Sequence, residues 1–413
     1  MPTFIPTPHL SARLHRGPLS GIVPRYRAIL ATEGYTSRTS EMHLCLLANL
    51  NEWLERCHLQ ASDLTEQTIA RFYAYRRGCF HTLPNDQSIV RKVVRLLQDT
   101  GEVRRTCAPT PWRPHQRVEE EYDRYLVEER GLTAVTRLDY GRFVHFFLRD
   151  QFGVKVRPSF RSLSAKDIVT FVRREAPRHS PERAGLMITA LRSFLRYLRF
   201  RGYVRTDLVG CVPSIATWAL SSLPRFLPMA QVGRVLRICD RRTALGRRDY
   251  AVLLLLARLG LRACEVVRLT LEDVNWRAGE ITIHGKGNKT SRLPLPSDVG
   301  EAIAAYCAKG RPRCSSRRVF LCTRAPRRPF KNSAAVSTIV ARRLKQSGYT
   351  GPHTGAHVFR HTLATHMLRA GASFEEIAQL LRHRSFDTTA IYAKVDLSAL
   401  RPLALPWPER GVR

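Results

Sequence analysis

The chain has no apolar run long enough to span a bilayer, which takes about 20 residues, and no secretory-signal pattern. Its start, Met1-Pro2-Thr3-Phe4-Ile5-Pro6-Thr7-Pro8, is broken by prolines and lacks an apolar core region. A cytoplasmic protein without a membrane partner is the expectation. It is poor in acid: 34 Asp and Glu stand against 68 Lys and Arg, a formal net charge of +34. Self-repulsion of that size favours a polyanionic partner, and nucleic acid fits, because each neutralised phosphate releases counterions. Paired metal-ligand motifs are also missing. The ten cysteines form no Cys-x-x-Cys, and there is no His-Glu-x-x-His. In a reducing compartment such cysteines read as small apolar residues or inert thiols, so no metal is expected. What is present is a core: 44% of the 413 residues are hydrophobic, which excludes a disordered basic tail.

Breaks in the pattern divide the chain. Residues 1–104 read as helical after a loose start. The stretch from Cys107 to Pro114, with Pro109, Pro111 and Pro114, cannot continue a helix. Residues 115–212 read as helical again, and a second breaker region runs from Pro213 to Pro228. Residues 229–396 mix helix with one short hairpin, and 397–413 form a tail. The first two segments resemble each other: Gly34 to Thr39 against Gly131 to Thr136, then Leu64-Thr65 with Ile69 and Phe72 against Leu163-Ser164 with Ile168 and Phe171. The spacing suggests an internal repeat; the plainer alternative is two helical hairpins with capped starts. The helix expected over 181–200 sets Leu191, Phe194, Leu195 and Leu198 against Arg192, Arg196 and Arg199, a solvated basic face or a contact for a phosphate backbone.

The C-terminal half carries the chemistry. An apolar run from Tyr250 to Leu259 reads as a buried helix ended by Gly260, with Arg262 and Glu265 just beyond. Arg262 on that rigid platform suits two phosphate oxygens, or simply pairs with Glu265. Glu280 to His284 alternates like a half-buried strand, and Ser291 to Leu295 returns. Between them Gly285-Lys286-Gly287-Asn288-Lys289 makes a tight basic turn. Lys286 suits proton donation to a leaving oxygen; Lys289 and Arg292 suit phosphate clamping. His357 and Arg360 share a helix face. His361 and His366 raise the thought of a metal helix, but that helix bears no carboxylate, and a phosphate site is the preferred reading. Ser373 to Glu376 opens another helix as a capping box. Its end carries His383, and Tyr392 follows on a last short helix.

These motifs together resemble the tyrosine recombinase (phage integrase) family: Leu259-Gly260-Leu261-Arg262 with Glu265, Gly285-Lys286-Gly287-Asn288-Lys289, His357-Val358-Phe359-Arg360-His361, Leu380-Leu381-Arg382-His383 and Thr388-Thr389-Ala390-Ile391-Tyr392. The resemblance covers 229–396, and 115–212 is similar to the family's helical, SAM-like core-binding domain. It implies a mainly α fold with a small β-sheet (α+β), in which two helical N-terminal DNA-binding modules precede a catalytic domain. It implies DNA cleavage by Tyr392 through a 3′-phosphotyrosyl bond. Arg262 and Arg360 would stabilise the transition state, Lys286 would act as general acid, His357 would help deprotonate the tyrosine, His383 would hydrogen-bond the phosphate, and Glu265 would orient the site. No metal, ATP or other cofactor is implied. The implied partners are double-stranded DNA, further copies in a tetramer on two DNA sites, and related recombinases of a mobile element. One departure stands out: the family usually has glycine where this chain has Arg382, and a cation there would add a DNA contact or alter the seating of the tyrosine helix. Two rivals share the motifs or the charge, a nicking-closing enzyme of the type IB topoisomerase kind and a non-catalytic DNA-binding accessory.

Overall fold

Hydroxyl side chains set several of the helix starts. Thr36, Thr133, Ser164, Ser180, Thr243 and Ser373 each accept a hydrogen bond from the backbone N–H at the third helical position, satisfying one of the donors a helix leaves open. The computed structural model describes residues 6–79, 85–103, 115–153, 158–214, 225–285, 289–383, 385 and 387–395. The chain divides into two compact units, 1–105 with 222–413, and 106–221.

In the first unit, α1 (Pro8–Leu14), α2 (Val23–Thr32), α3 (Ser37–Arg56), α4 (Glu66–Cys79) and α5 (Asp86–Asp99) bury Tyr26, Leu47, Leu54, Phe72, Val93 and Leu97. This bundle touches the C-terminal part of its unit: Arg327 N donates to Glu33 O at 2.9 Å. Gly34, at φ +76°, lies against the Arg327 side chain, where an added Cβ would come within 2.4 Å of it. Glycine there serves both the left-handed backbone and the close approach.

The second unit comprises α6 (Gln116–Glu128), α7 (Ala134–Phe152), α8 (Ala165–Glu175) and α9 (Pro181–Phe200). Its core is aromatic. Phe194 meets Tyr122 edge-on, and Phe171 meets Phe147 the same way, with ring centroids 5.1 and 5.0 Å apart, arrangements that add about 1 kcal/mol each to simple burial.

The C-terminal part of the first unit is built around α11. After α10 (Met229–Arg237), α11 (Ala244–Leu259) runs through the centre with Ala251 to Leu256 buried. Then come α12 (Ala263–Arg268) and an antiparallel sheet of β1 (Val274–Asn275), β2 (Glu280–His284) and β3 (Thr290–Pro294), in the order β1-β2-β3. Ile281 pairs with Leu293 and Ile283 with Ser291, so the apolar faces of β2 and β3 turn inward together. The β2–β3 hairpin follows the alternation in the sequence; β1, two residues long, carries no periodic signal. Helices α13 (Ser297–Lys309), α14 (Ala334–Gln346), α15 (His357–Arg369), α16 (Phe374–Leu381) and α17 (Asp387–Ala390) complete the unit. Beyond α17 the chain tightens into a 3₁₀ turn, Ile391–Val395, so Tyr392 sits on that turn rather than on a regular helix. Asp249 is fully buried on α11 and binds three guanidinium groups, those of Arg248, Arg342 and Arg343, tying α14 to α11. No helix among the described residues is long and apolar enough to cross a membrane.

Candidate active site

Gly260 ends α11 in the left-handed conformation, φ +56° and ψ +31°. A side chain there would be strained, and its Cβ would lie 2.6 Å from Leu381 Cδ2. Two residues later Arg262 stands at the start of α12. The Glu265 carboxylate holds it twice, accepting from its backbone N–H at 2.8 Å and from Nη1 at 3.0 Å. Glu265 is buried. Burial raises its pKa, but Arg382 and the two donors of Arg262 outweigh that, and the net pKa lies below the ordinary carboxylate value. The plain pairing and the phosphate-site reading of Arg262 are thus compatible: Glu265 uses one edge of the guanidinium, and the group remains about one-third exposed.

Arg360, one turn into α15, is buried. Its Nη1 donates to Gly260 O at 2.6 Å and its Nη2 donates to Leu381 O. One planar fork therefore joins the loop before Arg262 to the end of α16. Burial first, then the nearby charges of Arg262 and Arg382, lower its pKa to about 10. It remains a cation at neutral pH.

Arg382 does not point outward. It caps α16 with φ +54° and ψ +49°, a conformation costing a side-chain-bearing residue about 1 kcal/mol. Its Nη2 donates to Glu265 Oε2 at 2.9 Å and its Nη1 to Leu380 O at 2.9 Å. The side chain is only 10% exposed. The sequence leaves two effects of Arg382 open, a DNA contact or a changed seating of the tyrosine helix; in the structure its guanidinium is committed to the carboxylate that holds Arg262.

The Tyr392 phenol is 1% exposed, among Ala364, Ile377 and Leu381. Its oxygen lies 3.0 Å from His361 Nδ1. Burial raises the phenol, Arg360 pulls it back, and the pKa is about 12. The nearest histidine is therefore His361, not His357. His357 lies one turn earlier on α15, with its ring 6.1 Å from that of His361. The sequence offered one signal for His361, its place one helical turn after His357 on the same face. In the sequence His361 and His366 raise a metal helix only as the less favoured alternative to a phosphate site; His366 reaches Leu227 O at 3.3 Å. His383 stacks against Tyr392, rings 7° from parallel and 6.5 Å apart, and its Nδ1 lies 2.7 Å from Thr389 Oγ1. Burial, followed by neighbouring positive charge and other histidines, lowers His361 and His383 to about 4, so both are neutral at physiological pH. His357 is lowered too, by burial and then by Arg360 and Arg262.

The structure thus brings together Arg262, Glu265, His357, Arg360, His383 and Tyr392, and adds His361 and Arg382. Lys286 lies outside the described residues. Lys289 and Arg292 are exposed on the β2–β3 hairpin. In the second unit Arg196 is exposed, Arg199 pairs with Asp207 at 2.6 Å, and Arg192 donates to Val212 O and Ser214 Oγ. Two of these three arginines are therefore partly engaged within their own unit.

Comparison with known proteins gives a consistent result. Residues 225–398 match the family model described as "Phage integrase family". A protein of Sinorhizobium fredii named "Putative integrase/recombinase y4rA" is 40% identical over 410 residues, covering 99% of both chains. The tyrosine recombinase XerD of Listeria innocua is 31% identical, over 67% of this chain and 93% of its own. Among solved structures, the XerH site-specific recombinase bound to a palindromic difH substrate aligns over 76% of this chain and 88% of its own, with a TM-score of 0.55 and 17% identity, a likeness of fold.

Proposed function

The chain belongs to the phage integrase family and is a tyrosine recombinase of site-specific recombination, and we propose that it cuts and rejoins DNA with Tyr392 as its nucleophile. The phenolic oxygen attacks the scissile phosphorus. The bond to the 5′ oxygen breaks, and a 3′-phosphotyrosyl ester conserves the bond energy, so rejoining needs no ATP. Arg262 and Arg360 neutralise the non-bridging oxygens as charge builds on them, which is where fixed donors accelerate phosphoryl transfer most. Lys286 supplies the proton to the departing 5′ oxygen.

A phenol with a pKa of about 12 needs an acceptor for its proton. His361 is in reach at 3.0 Å. As a neutral ring it can accept, and the negative charge of a bound phosphodiester raises the basicity of every histidine near it. His357 and His383 are left to hydrogen-bond the phosphate. Glu265 and Arg382 hold Arg262 in place.

The observation that carries this reading is the pairing of the phenol with a histidine adjacent in sequence to Arg360, whose own guanidinium joins the Arg262 loop to the His383 turn. Strand exchange joins two duplexes, so the working assembly is a tetramer on two DNA sites, with related recombinases of a mobile element as further partners. With DNA as substrate, we place the chain in the cytoplasm, on the nucleoid.

A nicked duplex that traps the covalent intermediate tests the chemistry. The expected result is a protein–DNA adduct that survives chelator and vanishes in Tyr392→Phe. An adduct persisting in Tyr392→Phe would reject this nucleophile; absence of any adduct with the parent chain would reject catalysis.

A further inference from the structure

One polar contact beside the phenol has no task yet in the reaction. Of the two adjacent threonines on α17, Thr388 is exposed and Thr389 is fully buried. The Thr389 hydroxyl oxygen lies 2.7 Å from Nδ1 of His383. The backbone of His383 is tied to α16, its N–H donating to Ala378 O at 3.0 Å. Its ring is half-buried and lies nearly parallel to that of Tyr392. Backbone and Nδ1 are thus both held, from two different helices, and the second ring nitrogen, Nε2, is left for another partner.

A neutral imidazole carries one proton on two nitrogens, and the bond made by one nitrogen decides what the other presents. Burial, then the charges of Arg360 and Arg262, keep this ring neutral. Two arrangements fit the contact. Either Nδ1–H donates to the hydroxyl and Nε2 is bare, or the hydroxyl donates to Nδ1 and the proton stands on Nε2. The burial of Thr389 chooses between them. A hydroxyl proton sealed from water needs an acceptor, and among the described residues Nδ1 is the one hydrogen-bond partner of this hydroxyl. The hydroxyl therefore donates, and Nε2 carries the proton.

A non-bridging phosphate oxygen only accepts, so the opposite tautomer would set lone pair against lone pair. We infer that Thr389 is a positioning residue, whose hydroxyl holds His383 in the tautomer with Nε2–H free to donate to the scissile phosphate. The inference rests on the proposal that His383 hydrogen-bonds that phosphate. Thr389 touches no reacting atom and acts through the ring alone. It sits on α17, while Tyr392 sits three residues later on the 3₁₀ turn beyond. A change in that turn can bring out the phenol with the Thr389–His383 bond kept.

The test is single-turnover cleavage of the nicked duplex by the full chain at saturating protein. Thr389→Val keeps the branched shape and removes the hydroxyl; it should slow cleavage about ten-fold with duplex affinity unchanged. Thr389→Ser should restore most of the rate. In a His383→Ala background, Thr389→Val should add no further loss, because a residue that acts through the ring has nothing left to act on. An equal loss in both backgrounds would mean packing alone and overturn the inference, as would a Thr389→Val chain that cleaves at the parent rate. Nitrogen-15 spectra of the histidine-labelled parent chain, with the His383 signals assigned by their loss in His383→Ala, read the tautomer without any variant at Thr389. Protonated Nε2 and bare Nδ1 are expected; the reverse overturns the inference even where Thr389→Val does not fold. The two levels separate at His383→Ala. If that chain cleaves as fast as the parent, His383 does not serve the phosphate and the inference falls with that reading; if it is slow while Thr389→Val is not, only the inference falls.

Discussion

Among the described residues two buried tyrosine–histidine pairs stand out, and they differ in their surroundings. Tyr26 joins His43 Nδ1 at 2.8 Å inside the N-terminal bundle; Tyr392 joins His361 Nδ1 at 3.0 Å beside Arg360. Both phenols are essentially inaccessible, at 0% and 1% exposure. Burial holds both histidines near a pKa of 4. The tyrosines differ. Tyr26 is pushed far up by burial, and its neighbours Tyr35 and Glu33 push the same way. Tyr392 is pushed up by burial and drawn back by Arg360. A phenol–imidazole bond is thus compatible with plain packing. What sets the second pair apart is its cationic field, which lowers the cost of a phenolate and gives an anionic substrate somewhere to sit.

Removing that field is the strongest way to erase the difference. Arg360→Ala and Arg262→Ala are each expected to cut single-turnover cleavage by about 10³-fold or more while leaving most DNA affinity, which many other cations supply; parallel loss of binding and cleavage would contradict it. Exchanging the two histidines' fates comes next. His361→Ala should slow cleavage about 10²-fold, whereas His43→Ala should leave cleavage intact and lower the melting temperature. A smaller effect is expected at the clamp. Arg382→Gly relieves the left-handed backbone, worth about 1 kcal/mol, but releases Glu265; cleavage should fall about ten-fold with melting little changed, and Arg382→Lys should recover part of the rate. The least is expected from acid. His43 and His361 both have folded pKa values of about 4, below the ordinary 6.5. Between those values the unfolded chain binds more protons, so stability is full above about pH 6.5 and falls as pH drops toward 4. Denaturant titrations across that range should show the loss, and His43→Asn or His361→Asn should each flatten it.

The elements that local chemistry decides were readable from the sequence. The α9 span and the β2 strand follow their periodicities, and Ser164 and Ser373 announce the helices they cap. The residues grouped around Arg360 were readable because their types suit one reaction. The contacts that the pattern hid are long-range. Arg382 meets Glu265 across 117 residues, and His361 meets Tyr392 across 31. No periodicity encodes such a meeting, and a cation in place of the usual glycine reads most naturally as a surface group. The contact of Arg327 with Glu33 and Gly34 was hidden for the same reason: it depends on how a bundle and a loop nearly 300 residues apart fit together.

The sheathing of Tyr392 bears on how safely such a chain can search a chromosome. A net charge of +34 keeps it on DNA of any sequence for long intervals, and an always-bared nucleophile would break strands during that wandering. The phenol is packed against Ile377 and Leu381, so a nucleophilic role for Tyr392 would require its exposure before any strand is cut.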